Sequence, residues 1–191
     1  MTEADGRVRC PWAAAAPSYP AYLTYHDEEW GRPVRGDQAL FERISLEAFQ
    51  SGLSWVTVLR KREAFRAAFA SFDPEVVAGY DAQDVERLLG DPGIIRNRSK
   101  IEATVANARA VVELSGGLTD LLWSFAPVQK GPAPRVHEDV PAVTPESTAM
   151  AKALRAHGFR FVGPTTAYAL MQATGIVDDH LADCWRRGAW T

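Results

Sequence analysis

Apolar residues recur along most of this chain at the spacing of amphipathic helices. In residues 37–50 they fall largely on one face, and Asp37 can cap the first turn. The same pattern predicts helices that begin at Ser54, Pro74 and Asp81, and helices over residues 99–115, 118–125, 147–157 and 164–174. Residues 127–145 are rich in proline, as is typical of a loop, and no segment shows the alternation of a β-strand. The sequence predicts an all-α fold in a single domain, 1–191, made of two closely packed helical lobes.

Composition narrows the class of protein. Hydrophobic residues make up 47% of the 191 residues, but no run of about 18 uninterrupted apolar residues occurs, so we expect no membrane span. The polar N-terminus lacks the apolar core of a secretory signal, which favours a cytoplasmic protein. We also expect the protein to be a monomer. The net charge of −3 argues against a protein that binds DNA with its whole surface. Basic clusters at 60–62, 96–100 and 155–160 form either one basic face or ordinary solvated helix faces.

Four side chains near the two ends of the chain can hold a metal ion. Cys10 and His26 lie near the N-terminus, and His180 and Cys184, four residues apart, would share one face of a helical turn near the C-terminus. Two cysteines and two histidines complete a tetrahedral zinc site with no open position. Such a zinc ion would be structural and would join the chain ends. The alternative is two buried thiols and two unrelated histidines.

A glycine-containing turn separates the last two predicted helices. Gly158 ends one helix, Phe161 and Val162 are expected to point inward, and Gly163 opens the next helix. Unpaired backbone N–H groups at that helix start form an anion site that would bind a DNA phosphate without reading sequence. Residues 147–175 are therefore predicted to form a helix–hairpin–helix element. A plain helical hairpin is the alternative.

One acidic residue stands out on an apolar helix face. Glu47 lies between Leu46 and Phe49, and a buried carboxylate is costly unless it is paired. The first third of the chain is also dense in aromatic residues, namely Trp12, Tyr19, Tyr22, Tyr25, Trp30 and Trp55. A box of rings around one carboxylate suits a flat, cationic, hydrogen-bonding ligand, and a flipped alkylated base fits that description. The alternative places Glu47 in solvent and the rings in the core.

Longer motifs extend this picture over nearly the whole chain, from about Arg9 to Cys184. They include Arg9-Cys10-x-Trp12, Tyr25-His26-Asp27-x-Glu29-Trp30-Gly31, Gly52-Leu53-Ser54-Trp55-x-Thr57-Val58-Leu59, Gly93-Ile94-Ile95-Arg96, Trp123-Ser124-Phe125 and Gly158-Phe159-x-Phe161-Val162-Gly163. In these motifs the chain resembles the bacterial 3-methyladenine DNA glycosylase I family. The resemblance implies a helix–hairpin–helix glycosylase fold with one structural zinc ion. It also implies hydrolysis of the N-glycosidic bond of 3-methyladenine that is flipped out of alkylated double-stranded DNA.

The resemblance assigns roles to single residues of the pocket and the metal site. The zinc ligands fall on Cys10, His26, His180 and Cys184. The catalytic, base-recognising glutamate falls on Glu47, and the ring that stacks on the base falls on Trp55. The other pocket rings are Trp12, Tyr22, Tyr25 and Trp30.

The resemblance also implies where DNA is bound. Gln50, Gly52 and Leu53 fall on a loop that presses into the duplex, and Leu53 is expected to fill the space that the base leaves. Further contacts are expected from Gly163 and Thr165 of the hairpin and from Lys100, which follows a second possible turn at 93–96. Asp178 is a departure, because the family commonly has asparagine at this position.

The chemistry of the expected substrate sets the expected mechanism. Methylation at N3 gives adenine a positive charge, so the base leaves readily and needs no general acid. No lysine is placed to form a Schiff base, so we expect a monofunctional glycosylase that releases free 3-methyladenine without cutting the strand. One alternative is a non-catalytic zinc-stapled DNA-binding module. Another, a zinc nucleobase deaminase, matches H-x-E at 26–28 but lacks the required P-C-x-x-C.

Overall fold

The computed structural model describes residues 5–128 and 131–190, which contain ten α-helices and no β-strand. In chain order the helices are α1 (Ala21–Glu28), α2 (Asp37–Gln50), α3 (Trp55–Arg60), α4 (Arg62–Ala68), α5 (Pro74–Ala78), α6 (Ala82–Gly90), α7 (Arg98–Glu113), α8 (Gly117–Trp123), α9 (Pro145–Ala156) and α10 (Pro164–Ala173). The predicted all-α class is confirmed. Over the same described ranges, every helix is too short or too polar to cross a membrane.

Several helix starts follow from the residue that caps them. The side chains of Ser54, Asp73 and Asp81 accept hydrogen bonds from backbone N–H groups of the first turns of α3, α5 and α6, as predicted. Asp37 behaves differently, because Gly36 is the N-cap of α2. The Asp37 carboxylate instead accepts the N–H groups of Leu118 and Thr119, at 3.0 and 2.9 Å, and so caps α8.

Three segments differ from the sequence-based prediction. Helix α1 was not predicted. The helix predicted to begin at Ser54 ends at Arg60 and is followed by a separate helix, α4, because Lys61, with φ −100° and ψ 0°, departs from helical geometry. In the described part of the proline-rich loop, His137–Asp139 form a short 3-10 turn.

Helix α2 lies at the centre of the core. It packs against α3, α5, α7, α8 and α10, and six consecutive residues, 44–49, are buried. A helix that is buried on nearly all sides must carry apolar residues around its whole circumference. Ser45 and Glu47 are the polar residues in this buried stretch, and Glu47 is the charged type that this arrangement carries into the protein interior.

Candidate active site

A cavity of about 480 Å³ opens beside the buried end of α2. Its lining combines five aromatic rings with two carboxylates, two amides and a few apolar groups. The rings belong to Trp12, Tyr22, Tyr25, Trp30 and Trp55, the five predicted for the pocket, whereas Tyr19 does not line it. A concave site with a few convergent polar groups on apolar walls is the usual form of a small-molecule or nucleobase pocket.

The rings support one another through tilted and edge contacts. Trp12 lies 5.4 Å from Tyr22 and 5.1 Å from Trp30, measured between ring centroids, and Tyr25 lies 5.3 Å from Trp55. Such pairs add stability beyond the area they bury, so the walls hold their shape. A flat ligand can therefore bind against fixed aromatic faces.

Glu47 reaches this cavity from α2, as predicted, and is only 6% exposed. Burial raises the pKa of its carboxyl group to about 8, and the positive charge of Arg43 offsets only part of that rise. In the free protein near neutral pH the group is therefore largely protonated.

Arg43 lies one helical turn before Glu47 but is bound elsewhere. Its guanidinium donates to the Glu29 carboxylate at 2.9 Å, and Arg62 donates to both oxygens of the same carboxylate, at 2.6 and 2.8 Å. Glu29 thus holds both cations in one network. This arrangement leaves Glu47 without an ion-pair partner among the described residues.

Sequence analysis missed the remaining wall of the cavity. Helix α10 contributes Ala169 and Gln172, the segment after it contributes Asp179 and Leu181, and the proline-rich loop contributes His137 and Val140. No short motif marks these residues. They come together through the packing of distant segments, although Asp179 lies directly before a predicted metal ligand.

Three of the four predicted metal ligands meet in the interior. The ligand atoms of Cys10, His26 and Cys184 lie within 4.8 Å of one another, and Cys184 Sγ is 3.5 Å from His26 Nε2. Hydrogen bonds from Cys10 and His26 lower the pKa of Cys184, which favours the thiolate that metals bind. His180 lies beside them, with its ring centroid 5.2 Å from that of His26. Residues 181–184 form a single hydrogen-bonded turn and His180 lies outside it, so the predicted helical turn is wrong.

The fit of this cluster to a metal is seen in the orientation of the two histidines. Nδ1 of His26 is 2.8 Å from the Asp27 carboxylate, and Nδ1 of His180 is 2.8 Å from the Asp178 carboxylate. Each carboxylate holds Nδ1 of its histidine and leaves Nε2 facing inward as the atom that could bind a metal. Carboxylates in the second coordination sphere orient histidines at metal centres in the same way. Nε2 of His180 is buried and has no hydrogen-bond partner within the described residues.

Gly31 shows how closely the chain packs around the cluster. A Cβ atom at this position would lie 2.6 Å from Cε1 of His180, and the glycine has φ +78°. Both the space and the conformation require glycine here. The adjacent Trp30 ring contacts His180 at 4.6 Å between centroids and also lines the cavity. The cluster and the pocket therefore share a wall.

The predicted hairpin lies between α9 and α10, which pack together. Gly158 has φ +87°, and Asn107 holds the turn through two hydrogen bonds with the backbone of Arg160, at 2.7 and 3.1 Å. Val162 is buried as predicted, but Phe161 is 42% exposed and has φ +55°, so its predicted inward position is wrong. A Cβ atom at Gly163 would meet nothing within 4 Å, so the start of α10 is open.

The predicted DNA contacts fall into two groups. Gly52, Leu53 and Thr165 are exposed, and Gln50 lines the cavity. Lys100 is 7% exposed, and its amine donates to the carbonyl oxygens of Phe49 and Ser51, at 2.8 and 2.6 Å. A lysine buried in this way caps α2 and anchors the turn at 51–54, so its predicted direct contact with DNA needs correction.

Comparison with known proteins identifies the family of this chain. A family model described as methyladenine glycosylase matches residues 12–187. DNA-3-methyladenine glycosylase 1 of Escherichia coli is 46% identical over 184 residues, which covers 92% of this chain and 95% of that protein. The relative from Haemophilus influenzae, DNA-3-methyladenine glycosylase, is 46% identical over 183 residues, with 93% and 96% coverage.

Solved structures agree with this assignment. A crystal structure of 3-methyladenine DNA glycosylase I matches with a TM-score of 0.89 and 45% identity, over 94% of this chain and 100% of the other. A variant of 3-methyladenine DNA glycosylase I crystallised in complex with 3-methyladenine matches with a TM-score of 0.86 and 37% identity, over 92% and 96%. Sequence, fold and coverage agree, and the chain belongs to the methyladenine glycosylase family.

Proposed function

We propose that this protein excises 3-methyladenine from alkylated double-stranded DNA by hydrolysing the N-glycosidic bond, and releases the free base. The observation that carries the proposal is the single buried carboxylate of Glu47 in a cavity walled by five aromatic rings. The named activity of the relatives and the 3-methyladenine bound to one of them support it.

Selection of the damaged base follows from the electrostatics of Glu47. A neutral adenine offers nothing to offset the cost of ionising a dry carboxyl group, whose pKa burial raises to about 8. A base that carries a positive charge lowers that pKa on binding, because an opposite charge favours the ionised form. Glu47 then accepts hydrogen bonds from the adenine edge while Trp55 stacks on its face. Stacking contributes about 1–3 kcal/mol per base and offsets part of the cost of flipping.

Bond cleavage needs little further catalysis of the leaving group. The methylated base leaves as a neutral molecule, so no general acid is required. The same reasoning leaves an unmodified adenine in DNA uncut even if it enters the pocket. The role of the protein is to extrude, select and orient the nucleotide, after which water adds to the sugar.

Two exposed elements are proposed to hold the duplex. Residues 147–175 act as the helix–hairpin–helix, in which the open start of α10, with Gly163 and Thr165, binds a backbone phosphate. The turn that follows α2 presses into the duplex, where Leu53, 44% exposed, fills the space of the flipped base. One copy of the chain supplies both elements, so the protein is proposed to act as a monomer.

A zinc ion held by Cys10, His26, His180 and Cys184 is the proposed cofactor. Four such ligands leave no coordination position for water, so the ion joins the chain ends and takes no part in bond cleavage. The inward-facing Nε2 atoms of the two histidines support this assignment. Metal analysis of the purified protein tests it, and a zinc content near zero after expression in zinc-supplied cells would contradict it.

The direct test of function is release of free 3-methyladenine from methylated duplex DNA, measured by chromatography. We expect release by the wild-type protein and strong loss in Glu47→Gln and Trp55→Ala. Glu75→Gln, an exposed carboxylate outside the cavity, is the matched control and should retain the wild-type rate. DNA binding without release would favour a non-catalytic module, and wild-type rates in both pocket variants would defeat the proposal.

A further inference from the structure

The mouth of the cavity carries a histidine that the proposed function does not use. Among the described residues that line the cavity, only Pro11 and His137 are exposed, and the others are buried or half-buried. These two residues therefore lie at the rim, where a base inside the cavity would join the sugar and the phosphates outside it. The proline side chain has no hydrogen-bonding group, so the exposed polar side chain of this rim is that of His137.

Hydrogen bonds to the backbone fix the turn that carries His137. The Asp139 carboxylate accepts the N–H groups of residues 135–136, at 2.8 and 3.2 Å. The carbonyl oxygen of Pro134 accepts the N–H group of Ala182, at 2.8 Å, and so joins the loop to the segment that follows α10. Because the turn is anchored before any ligand binds, a contact made by His137 costs little further ordering of the backbone.

The imidazole of His137 has no partner within the described part of the chain. It forms no hydrogen bond, ion pair or ring contact there. His26 and His180 differ, because each has one ring nitrogen 2.8 Å from a carboxylate oxygen. An imidazole carries at least one N–H group whether or not it is protonated. The rim therefore presents a hydrogen-bond donor that the protein itself does not use.

Three cations beside the pocket residues are already bound to the protein. Arg43 and Arg62 both donate to the Glu29 carboxylate. The Lys100 amine donates to two carbonyl oxygens at the end of α2. Within the described lining, His137 is the only basic residue, and the carboxylates there would repel an anion. The side chain at this cavity that best suits a phosphate is therefore His137.

We propose that His137 binds a phosphate next to the flipped nucleotide by donating an imidazole N–H to one of its oxygens. The inference rests on the proposed function, because a nucleotide turned out of the duplex leaves its phosphates at the mouth while its base lies inside. The contact holds the sugar at the rim and favours the extruded nucleotide over the stacked one. It carries no sequence information, because the phosphate is the same for every base.

A duplex with a tetrahydrofuran abasic site separates this contact from recognition of the base. The probe keeps a sugar and both flanking phosphates but has no base, and fluorescence anisotropy measures its affinity. His137→Ala should bind it about tenfold more weakly than wild type, the low end for a hydrogen bond to a charged group. Binding of free 3-methyladenine, followed by tryptophan fluorescence, should not change. Glu138→Gln alters an exposed side chain of the same turn and is the matched control, which should not bind more weakly.

A neutral phosphate identifies the group that His137 contacts. A methylphosphonate, in which a methyl group replaces one charged oxygen, is placed in turn at each of the two phosphates that flank the abasic sugar. At one of these positions the difference between wild type and His137→Ala should disappear, because a contact that is already lost cannot be lost again. A difference that persists at both positions would overturn the inference.

Two further variants separate the hydrogen bond from the ring. His137→Gln keeps an N–H donor, whereas His137→Phe keeps a flat ring without one. The glutamine variant should recover most of the affinity, and the phenylalanine variant should bind as weakly as His137→Ala. The opposite order would indicate stacking and would overturn the inference. On methylated duplex DNA, His137→Ala should raise the DNA concentration that gives the half-maximal rate and leave the rate at saturation close to wild type.

The proposed function and this inference can fail separately. If the wild-type protein releases 3-methyladenine but His137→Ala binds the abasic duplex as tightly as wild type, the inference alone is wrong. If the wild-type protein releases no 3-methyladenine and binds the abasic duplex no better than undamaged DNA, the proposed function fails and the inference fails with it.

Discussion

The buried carboxyl group of Glu47 should lower the free energy of unfolding as the pH rises, so the pocket destabilises the fold. Replacement by glutamine keeps the shape of the side chain and removes the titratable group. Because burial raises the pKa of Glu47 from 4.5 to about 8, the folded protein binds this proton more tightly than the unfolded chain does. The stabilisation from this proton is fully present below pH 4.5 and is lost as the pH rises towards 8.

The size of the effect follows from linkage. Each pH unit between the unfolded and folded pKa values removes about 1.4 kcal/mol. Over the interval from 4.5 to about 8, the loss is on the order of 5 kcal/mol. Small domains are stable by only about 5–15 kcal/mol, so a loss of this size is a large fraction of the free energy of unfolding. Glu47→Gln should abolish this loss and should be more stable than wild type at pH 8.

Urea unfolding of the metal-loaded wild type, Glu47→Gln and Glu75→Gln at pH 5 and pH 8 measures this. For each protein, the change in the free energy of unfolding between pH 5 and pH 8 is determined. The value for Glu47→Gln is then subtracted from the value for wild type, so that the contributions of all other titrating groups cancel. Glu75→Gln, which alters an exposed carboxylate, should follow the wild type. The same pH dependence in wild type and Glu47→Gln would refute the reasoning, since Glu47 would then ionise as freely in the fold as in the unfolded chain.

Three further predictions concern residues around the pocket. Asp178→Ala should weaken zinc binding about 10–100-fold, as for other second-sphere carboxylates, in competition with a chromophoric chelator; unchanged affinity would contradict the orienting contact with His180. Lys100→Met should lower the free energy of unfolding by about 1–3 kcal/mol in urea, because two buried carbonyl oxygens lose their donor; no change would mean that water replaces the amine. Phe161→Gly should raise the free energy of unfolding by about 1 kcal/mol, because φ +55° suits glycine, yet weaken duplex DNA binding in a fluorescence anisotropy titration; unaltered DNA affinity would place the hairpin away from DNA.

Local sequence chemistry predicted the helices where a cap and an apolar face coincide. Ser54, Asp73 and Asp81 are polar residues at helix starts, and each caps the helix that follows it. Helix α1 escaped prediction because it starts after Pro20 with no side-chain cap, and its polar and aromatic residues do not form a clear apolar face. The exposed Phe161 was also unexpected, because a positive φ at a phenylalanine contradicts its local preference.

The candidate site was predictable to the extent that its residues are chemically distinctive. A glutamate in a buried helix and paired cysteines and histidines stand out in any sequence. The positions of Asp179 and Lys100 do not, because their partners are set by packing between helices. Lys100 caps a helix that ends 50 positions earlier, and the cavity faces of Gln172 and Asp179 depend on how α10 meets α2.

The metal cluster and the pocket are best understood as one structure. Cys10 is both a cluster residue and part of the cavity lining, and Trp12 contacts His26 at 5.1 Å between ring centroids. Trp30 lies between His180 and the cavity. Because Gly31 has no side chain, the His180 ring packs closely against the backbone at Gly31. The proposed metal, which would join the two chain ends, would therefore also fix the rings of the cavity. Removal of the proposed metal should for that reason weaken binding of the base, even though its four proposed ligands leave no coordination position for the substrate.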